Sequence, residues 1–192
     1  MASSPLVAVY DACVLYPFQL RNLLVQLAAD RLVDARWSDD IHDEWIRNLL
    51  KKEPRLTRER LERTRDLMNS ALPNATVTGY AARIPGISLR DPDDRHVVAA
   101  AVEGGAQVIV TWNVRDFPVA ELKKHGLRKL NPDAFLMELH AAHPDAVASS
   151  VENARRNLTA SKIAAADYLT VLERQKLKRF TAILRARGSP ES

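Results

Sequence analysis

Two short, continuous apolar runs constrain this chain more than any other feature: Leu6-Val7-Ala8-Val9-Tyr10 ends at Asp11, and Val108-Ile109-Val110 lies just ahead of Asp116. A strand with no polar alternate has no face for water, so it has to be covered on both sides, as the strands of a parallel sheet are. The pattern around these runs is helical. A helix is expected at about 18–30, after Pro17. Ser38 can cap another through about Lys52, with Ile41, Trp45 and Leu49 as its buried stripe, and Pro54 ends it. Thr57 can cap a third to about Ala71. Residues 73–90, with Pro73, Gly79, Pro85 and Gly86, read as connections with one short strand. Asp91-Pro92 reads as an N-cap followed by a first-position proline, opening a helix through Glu103 that Gly104-Gly105 terminate. Further helices are expected near 118–124 and from about Pro132 to Ala142. Strands alternating with helices predict an α/β sandwich with a mainly parallel central sheet, in which sites gather at the carboxyl ends of the strands.

The chain has 192 residues, 46% of them hydrophobic, enough for one well-buried domain plus an appendage. Residues 144–186 read as helices only, with Thr159 or Ser161 as possible caps and Leu177, Phe180 and Leu184 at helical spacing. The expected division is therefore a domain over 1–140 and a helical C-terminal extension over 141–192. Residues 1–140 hold 19 Lys and Arg against 19 Asp and Glu, and residues 141–192 hold 9 against 5, so the whole net charge of +4 is C-terminal. A basic tail beside a neutral body suits a polyanionic partner, or else a solvated helical surface. The single cysteine, Cys13, excludes an internal disulfide and leaves no cysteine set for zinc. No apolar run approaches the ~20 residues of a membrane span. A cytoplasmic protein is expected.

Four carboxylates stand out by position. Asp11 and Asp116 follow the two buried strands, although either could instead serve as a turn or helix cap. Asp94 falls in helical phase between Val97 and Val98 and in line with Ala101, on the face that should meet the sheet; its alternative is a capping arrangement with Asp91. Glu44 lies at the edge of its helix's apolar stripe, with an ion pair to Arg47 or Lys51 as its alternative. Ionised carboxylates about 5 Å apart repel by about 3 kcal/mol per pair at an effective dielectric of 20, which a hard divalent cation relieves. Oxygen-only ligation selects Mg²⁺ or Mn²⁺ over zinc. One ion lowers the pKa of an attacking water, and a second stabilises the leaving oxygen of an in-line phosphodiester displacement.

Four segments resemble the PIN-domain family, in the branch of VapC-type toxins from bacterial toxin–antitoxin pairs. They are Val9-Tyr10-Asp11-Ala12-Cys13-Val14-Leu15-Tyr16-Pro17; Trp37-Ser38 with Glu44-Trp45; Asp91-Pro92-Asp93-Asp94-Arg95-His96-Val97-Val98-Ala99-Ala100-Ala101; and Val110-Thr111-Trp112-Asn113-Val114-Arg115-Asp116-Phe117. The resemblance covers about residues 6–130 and implies a PIN-like three-layer sandwich. It places the family's acidic tetrad on Asp11, Glu44, Asp94 and Asp116, as catalytic and metal-holding residues, with Thr111 and Asn113 as polar supports. It further implies an endoribonuclease using one or two Mg²⁺ or Mn²⁺ ions and leaving a 5′-phosphate, a cognate antitoxin, and a homodimer. Cys13 departs from the family pattern, in which many relatives carry a small polar residue there, often Asn. The helical tail resembles an extension found in a subset of these toxins.

Arg95 and Arg115 each neighbour a proposed ligand and could hold a scissile phosphate, or could serve at the surface. The basic residues between Arg47 and Arg65 are broken by Glu53, Glu59 and Glu62, which favours an exposed, salt-bridged hairpin over an RNA-facing one. Histidines 42, 96, 125, 140 and 143 show no partner spacing, and surface positions are expected for His140 and His143. A phosphoaspartate hydrolase would need a second aspartate where Cys13 stands, and a dinucleotide enzyme would need a glycine-rich turn after the first strand. The remaining rival is a PIN-like module that binds RNA or protein without cutting.

Overall fold

A computed structural model describes residues 4–188. Four strands, β1 (Leu6–Tyr10), β2 (Val33–Arg36), β3 (Val108–Val110) and β4 (Arg128–Leu130), form one sheet in the order β2-β1-β3-β4, and every pairing is parallel. In the centre Ala8, Val9 and Tyr10 of β1 and all of β3 are fully buried. Successive strand residues point to opposite faces, so burial of every one requires a layer on each side. The sandwich is thus α/β, and its sheet is wholly parallel.

The helices are α1 (Ala12–Leu15), α2 (Phe18–Ala29), α3 (Asp39–Lys52), α4 (Arg58–Ala71), α5 (Arg95–Glu103), α6 (Val119–Lys124), α7 (Pro132–Ala142), α8 (Pro144–Arg156), α9 (Ala165–Arg174) and α10 (Lys178–Gly188). α5 packs on β1 and β3, α2 on β2 and α8, and α10 on α7 and α9. Tyr10 shows how the α2 layer meets the sheet: its ring stands edge-on to Phe135 of α7 at 6.1 Å, and its hydroxyl donates to Leu24 O of α2 at 3.4 Å. One continuous core includes strand residues together with Val147, Tyr168, Leu172 and Phe180 of the C-terminal helices.

Several expectations are corrected. β2 and β4 carry no long apolar run: in β2, Val33 and Ala35 turn inward while Asp34 and Arg36 turn outward and pair with each other at 2.8 Å. Within 73–90 there is no strand, only a single bridge of Thr76 to Trp37, followed by a 3₁₀ segment over Tyr80–Gly86. Asp91 does not open one continuous helix. Its side chain accepts from Asp93 N–H at 2.9 Å and starts a 3₁₀ turn, Pro92–Asp94, before α5 begins at Arg95. Neither Thr159 nor Ser161 caps a helix, since α9 begins after Ala164 without a side-chain cap. Among the described residues no helix is long and apolar enough to cross a membrane.

Candidate active site

β1 and β3 pair through Tyr10 and Val110, so both strands end at one edge at the same level. Asp11 extends that ladder by one rung, its N–H donating to Val110 O at 3.1 Å. The residue is 2% exposed, and a carboxylate so placed is costly unless it is bonded. Two side chains supply bonds to the same oxygen: the Thr111 hydroxyl donates to Asp11 Oδ2 at 2.5 Å and the Cys13 thiol at 3.1 Å. Burial raises the Asp11 pKa above its ordinary value, the Thr111 and Cys13 bonds draw it back, and the Glu44 charge adds to the rise.

Cys13 is bonded on both sides, to Asp11 and to Trp112. Its sulfur accepts from Trp112 N–H at 3.2 Å while its hydrogen points to Asp11. Burial and the Asp11 charge push the thiol up to about 12, so it stays protonated as a donor and is no nucleophile. Thr111, fully buried, also accepts from Asn113 N–H at 2.9 Å. Asn113 is exposed and meets the site through its main chain. Asp116 N–H donates to Asn113 O at 2.9 Å, closing a turn, and fully buried Phe117 anchors the far side. Lys129 of β4 donates to Val114 O and steadies the same loop.

Glu44 arrives on α3, whose start is fixed by Ser38 Oγ accepting from Ile41 N–H at 3.3 Å. A polar network sets how α3 lies. The Trp45 indole donates to His42 Nδ1 at 3.0 Å, so the ring's other nitrogen carries the proton and donates to Asn69 Oδ1 at 3.3 Å, and Trp37 Nε1 donates to that same oxygen at 2.8 Å. With Trp45 and Ile46 fully buried, Glu44 is left half-buried on the helix's site-facing edge. It pairs with neither Arg47 nor Lys51 but lies against His96 of α5, with Nε2 3.5 Å from Glu44 Oε2. His96 therefore has a partner that sequence spacing did not show. His140, expected at the surface, is buried.

Asp94 ties the group together. It stands at the N-cap position of α5 and makes no capping bond with its side chain. Burial, then the charges of Asp11, Asp91, Asp116 and Glu44, push it up to about 6. Asp11, Asp116 and Glu44 are thus each within electrostatic reach of Asp94, and Glu44 of Asp11, with Asp91 as a fifth acid that the sequence presented only as a cap. Among the described residues no lysine or arginine is ion-paired with Asp11, Asp94, Asp116 or Glu44. Arg95 is half-buried with Nε unpartnered, and Arg115 is exposed.

Among the described residues no three His, Cys, Asp or Glu side chains are drawn close enough to enclose a metal ion by themselves. The donor set still fits a hard cation by its chemistry: carboxylate oxygens whose charges reach one another, with His96 beside Glu44 but no lysine or arginine paired with them. Mg²⁺ keeps several waters and takes only one or two carboxylates directly, so an open cluster suits it better than a closed cage.

A PIN-domain model matches residues 7–115, and a model of the VapC50 C-terminal domain matches residues 132–186. Over 45 residues the chain is 51% identical to a Mycobacterium tuberculosis (strain ATCC 25618 / H37Rv) protein named "Putative ribonuclease VapC50". That stretch is 23% of this chain and 27% of the relative's length. No solved structure matches.

Proposed function

The chain belongs to the PIN-domain family, and from that premise we propose that it is a Mg²⁺- or Mn²⁺-dependent endoribonuclease, the toxin of a toxin–antitoxin pair acting in the cytoplasm. The observation that carries this reading is the acidic group at the carboxyl edge of β1 and β3: Asp11, Glu44 and Asp116 all bear on Asp94, and Glu44 on Asp11, without a lysine or arginine to neutralise them. Residues 1–140 hold the chemistry in this reading, and residues 141–192 are an appendage to it.

Asp11, Asp94, Asp116 and Glu44 would hold the metal. When bound, the ion neutralises their charge, polarises a phosphoryl oxygen and lowers the pKa of a water. Thr111 and Cys13 both donate to Oδ2 of Asp11, which fixes the carboxylate's rotation and leaves Oδ1 free of side-chain donors. His96 restrains Glu44. Arg95 and Arg115 flank Asp94 and Asp116 in sequence and in this reading would meet the phosphate backbone of the strand being cut. A segment of the antitoxin would cover the same cleft.

Asp11→Asn and Asp94→Asn should each abolish Mg²⁺-dependent cleavage of structured RNA, with 5′-phosphate products from the wild type only, while circular dichroism shows the fold intact. Cleavage retained by both variants would sink the site assignment. A wild type that binds RNA yet cuts none of a varied set would return the chain to a binding module. The toxin role is checked separately by expression: slowed growth that a small protein encoded alongside relieves is expected.

A further inference from the structure

The turn between α9 and α10 carries the C-terminal helices to Trp112, the residue after Thr111. α9 ends in a Schellman arrangement, in which Leu177 N–H donates to Leu172 O at 3.3 Å and Lys176 N–H to Glu173 O at 2.9 Å. Lys176 takes the left-handed position, φ +67°, which glycine adopts freely and other residues do not. Fully buried Leu177 holds the turn from below, and Gln175 Nε2 ties it to Gln19 Oε1 of α2 at 2.7 Å. Arg31 and Lys162 also have positive φ, so the backbone alone does not single out Lys176. Where its side chain lands does: Nζ stands 5.7 Å from the centroid of the Trp112 ring. Trp112 follows Thr111 directly, and its N–H is bonded to Cys13.

Only some of the extension's cations are paired, and Lys162, Arg174, Lys178 and Arg179 share with Lys176 the lack of a carboxylate partner among the described residues, so it is the ring contact that marks Lys176 out. Arg155 and Arg156 pair with Glu152, Arg185 with Glu173, and Arg187 with Asp145. Among the described residues, Lys176 has no carboxylate partner, and the ring beneath it leaves its ammonium charge in place. A site built of acids repels a polyanion, so phosphates beyond the reach of a divalent ion need cations at the rim. A lysine beside an aromatic ring is also the usual device for holding unpaired nucleic acid.

We propose that Lys176 contacts a backbone phosphate of single-stranded RNA, a contact that the C-terminal helices lend to the acidic site. The inference rests on RNA being the substrate of that site.

The test is the salt dependence of binding of a fluorescent single-stranded RNA oligonucleotide, read by anisotropy in Mg²⁺ with the Asp94→Asn protein, so that no strand is cut. Lys176→Gly removes the ammonium and suits the left-handed position, so it should melt no lower than its parent. Arg31→Gly is the matched control: Arg31 occupies the same kind of turn after α2, with Leu32 N–H donating to Leu27 O, but sits at the opposite edge of the sheet, ahead of β2. Lys176→Gly should weaken binding by roughly tenfold, as loss of a charged contact does, and flatten the slope of log affinity against log salt by about 0.7, one phosphate on a single strand. Arg31→Gly should leave the slope unchanged. A parental slope in Lys176→Gly, or an equal loss in Arg31→Gly, overturns the Lys176 contact and leaves the nuclease reading standing. Failure of the parent protein to bind any RNA overturns both.

Discussion

The Thr111 hydroxyl lies 2.5 Å from Asp11 Oδ2, a contact between residues one hundred positions apart that follow adjacent strands. It sets the orientation of the most buried acid of the site. Thr111→Val keeps the shape but loses both the donor to Asp11 and the acceptor for Asn113 N–H. Outer contacts of this kind are worth about 10- to 100-fold in metal affinity or activity. Thr111→Val should therefore lose that much at a fixed Mn²⁺ concentration and recover part of it as Mn²⁺ is raised, while Thr111→Ser stays near the wild type. A valine variant with an unchanged metal titration would show that Asp11 is positioned by other means.

Asp94 should destabilise the metal-free protein. Its folded-state pKa of about 6 lies above the ordinary 3.8, so its contribution is unfavourable once it ionises, and stability falls as pH rises from about 4 to about 6. Because the group is only half-buried the effect is screened, to about 1 kcal/mol. With chelator at neutral pH, Asp94→Asn should melt roughly 3 °C higher than the wild type, given the usual relation for a chain of this size. Added Mg²⁺ should raise the wild type's melting point and move the variant's much less. A variant less stable in chelator would mean that Asp94 is held by a favourable bond.

Legibility tracked how local each signal was. β1 and β3 are readable because a strand covered on both faces leaves an unbroken apolar run, and the aspartates after them inherit their positions. β2 and β4 are not: Val33-Asp34-Ala35-Arg36 and Arg128-Lys129-Leu130 are short edge strands whose outward residues are charged, and only pairing with β1 and β3 makes them strands. The helical phase assigned to Asp94 did not apply, because it ends a 3₁₀ turn ahead of α5; the charges of Asp11, Asp116 and Glu44 reach it there all the same. Partners from distant segments left no local trace. His96 beside Glu44 and Cys13 between Asp11 and Trp112 required the fold.

His42 makes stability sensitive to mild acid. Burial pushes its pKa down to about 4, in keeping with an Nδ1 that accepts from Trp45 and cannot also hold a proton. Above pH ~6.5 the ring is neutral whether the chain is folded or not and contributes no pH dependence. As pH falls from there towards 4, the unfolded chain takes up a proton that the folded one refuses, and stability is lost, about 2 kcal/mol by pH 5. Urea midpoints at pH 7.5 and pH 5 should show that loss in the wild type, reduced by what protonation of Asp94 restores over the same range. His42→Gln, less stable overall, should show a smaller drop between the two; an equal drop would assign the acid sensitivity to other groups.

The C-terminal helices are distinct in sequence but should not melt as a separate body. Asp133 of α7 caps α10 by accepting from Phe180 N–H at 3.0 Å and Arg179 N–H at 3.3 Å, Asn22 of α2 donates to Ala154 O at 2.7 Å, and Ser150 donates to Asp30 at 2.6 Å. Phe180 and Leu172 are fully buried in the core that also holds β1. All three tryptophans, Trp37, Trp45 and Trp112, precede residue 141, but Trp112 lies against Lys176, so in a Trp112→Phe background the fluorescence of Trp37 and Trp45 reports on the sheet domain while circular dichroism reports on every helix. The two signals should lose structure at one denaturant midpoint, as a single cooperative unit does. Phe180→Ala should cost about 4 kcal/mol, the usual range for emptying a packed aromatic site, and lower both midpoints together. If the dichroism midpoint falls while the fluorescence midpoint stays, the extension is an independent unit and Lys176 reaches Trp112 only when that unit is docked.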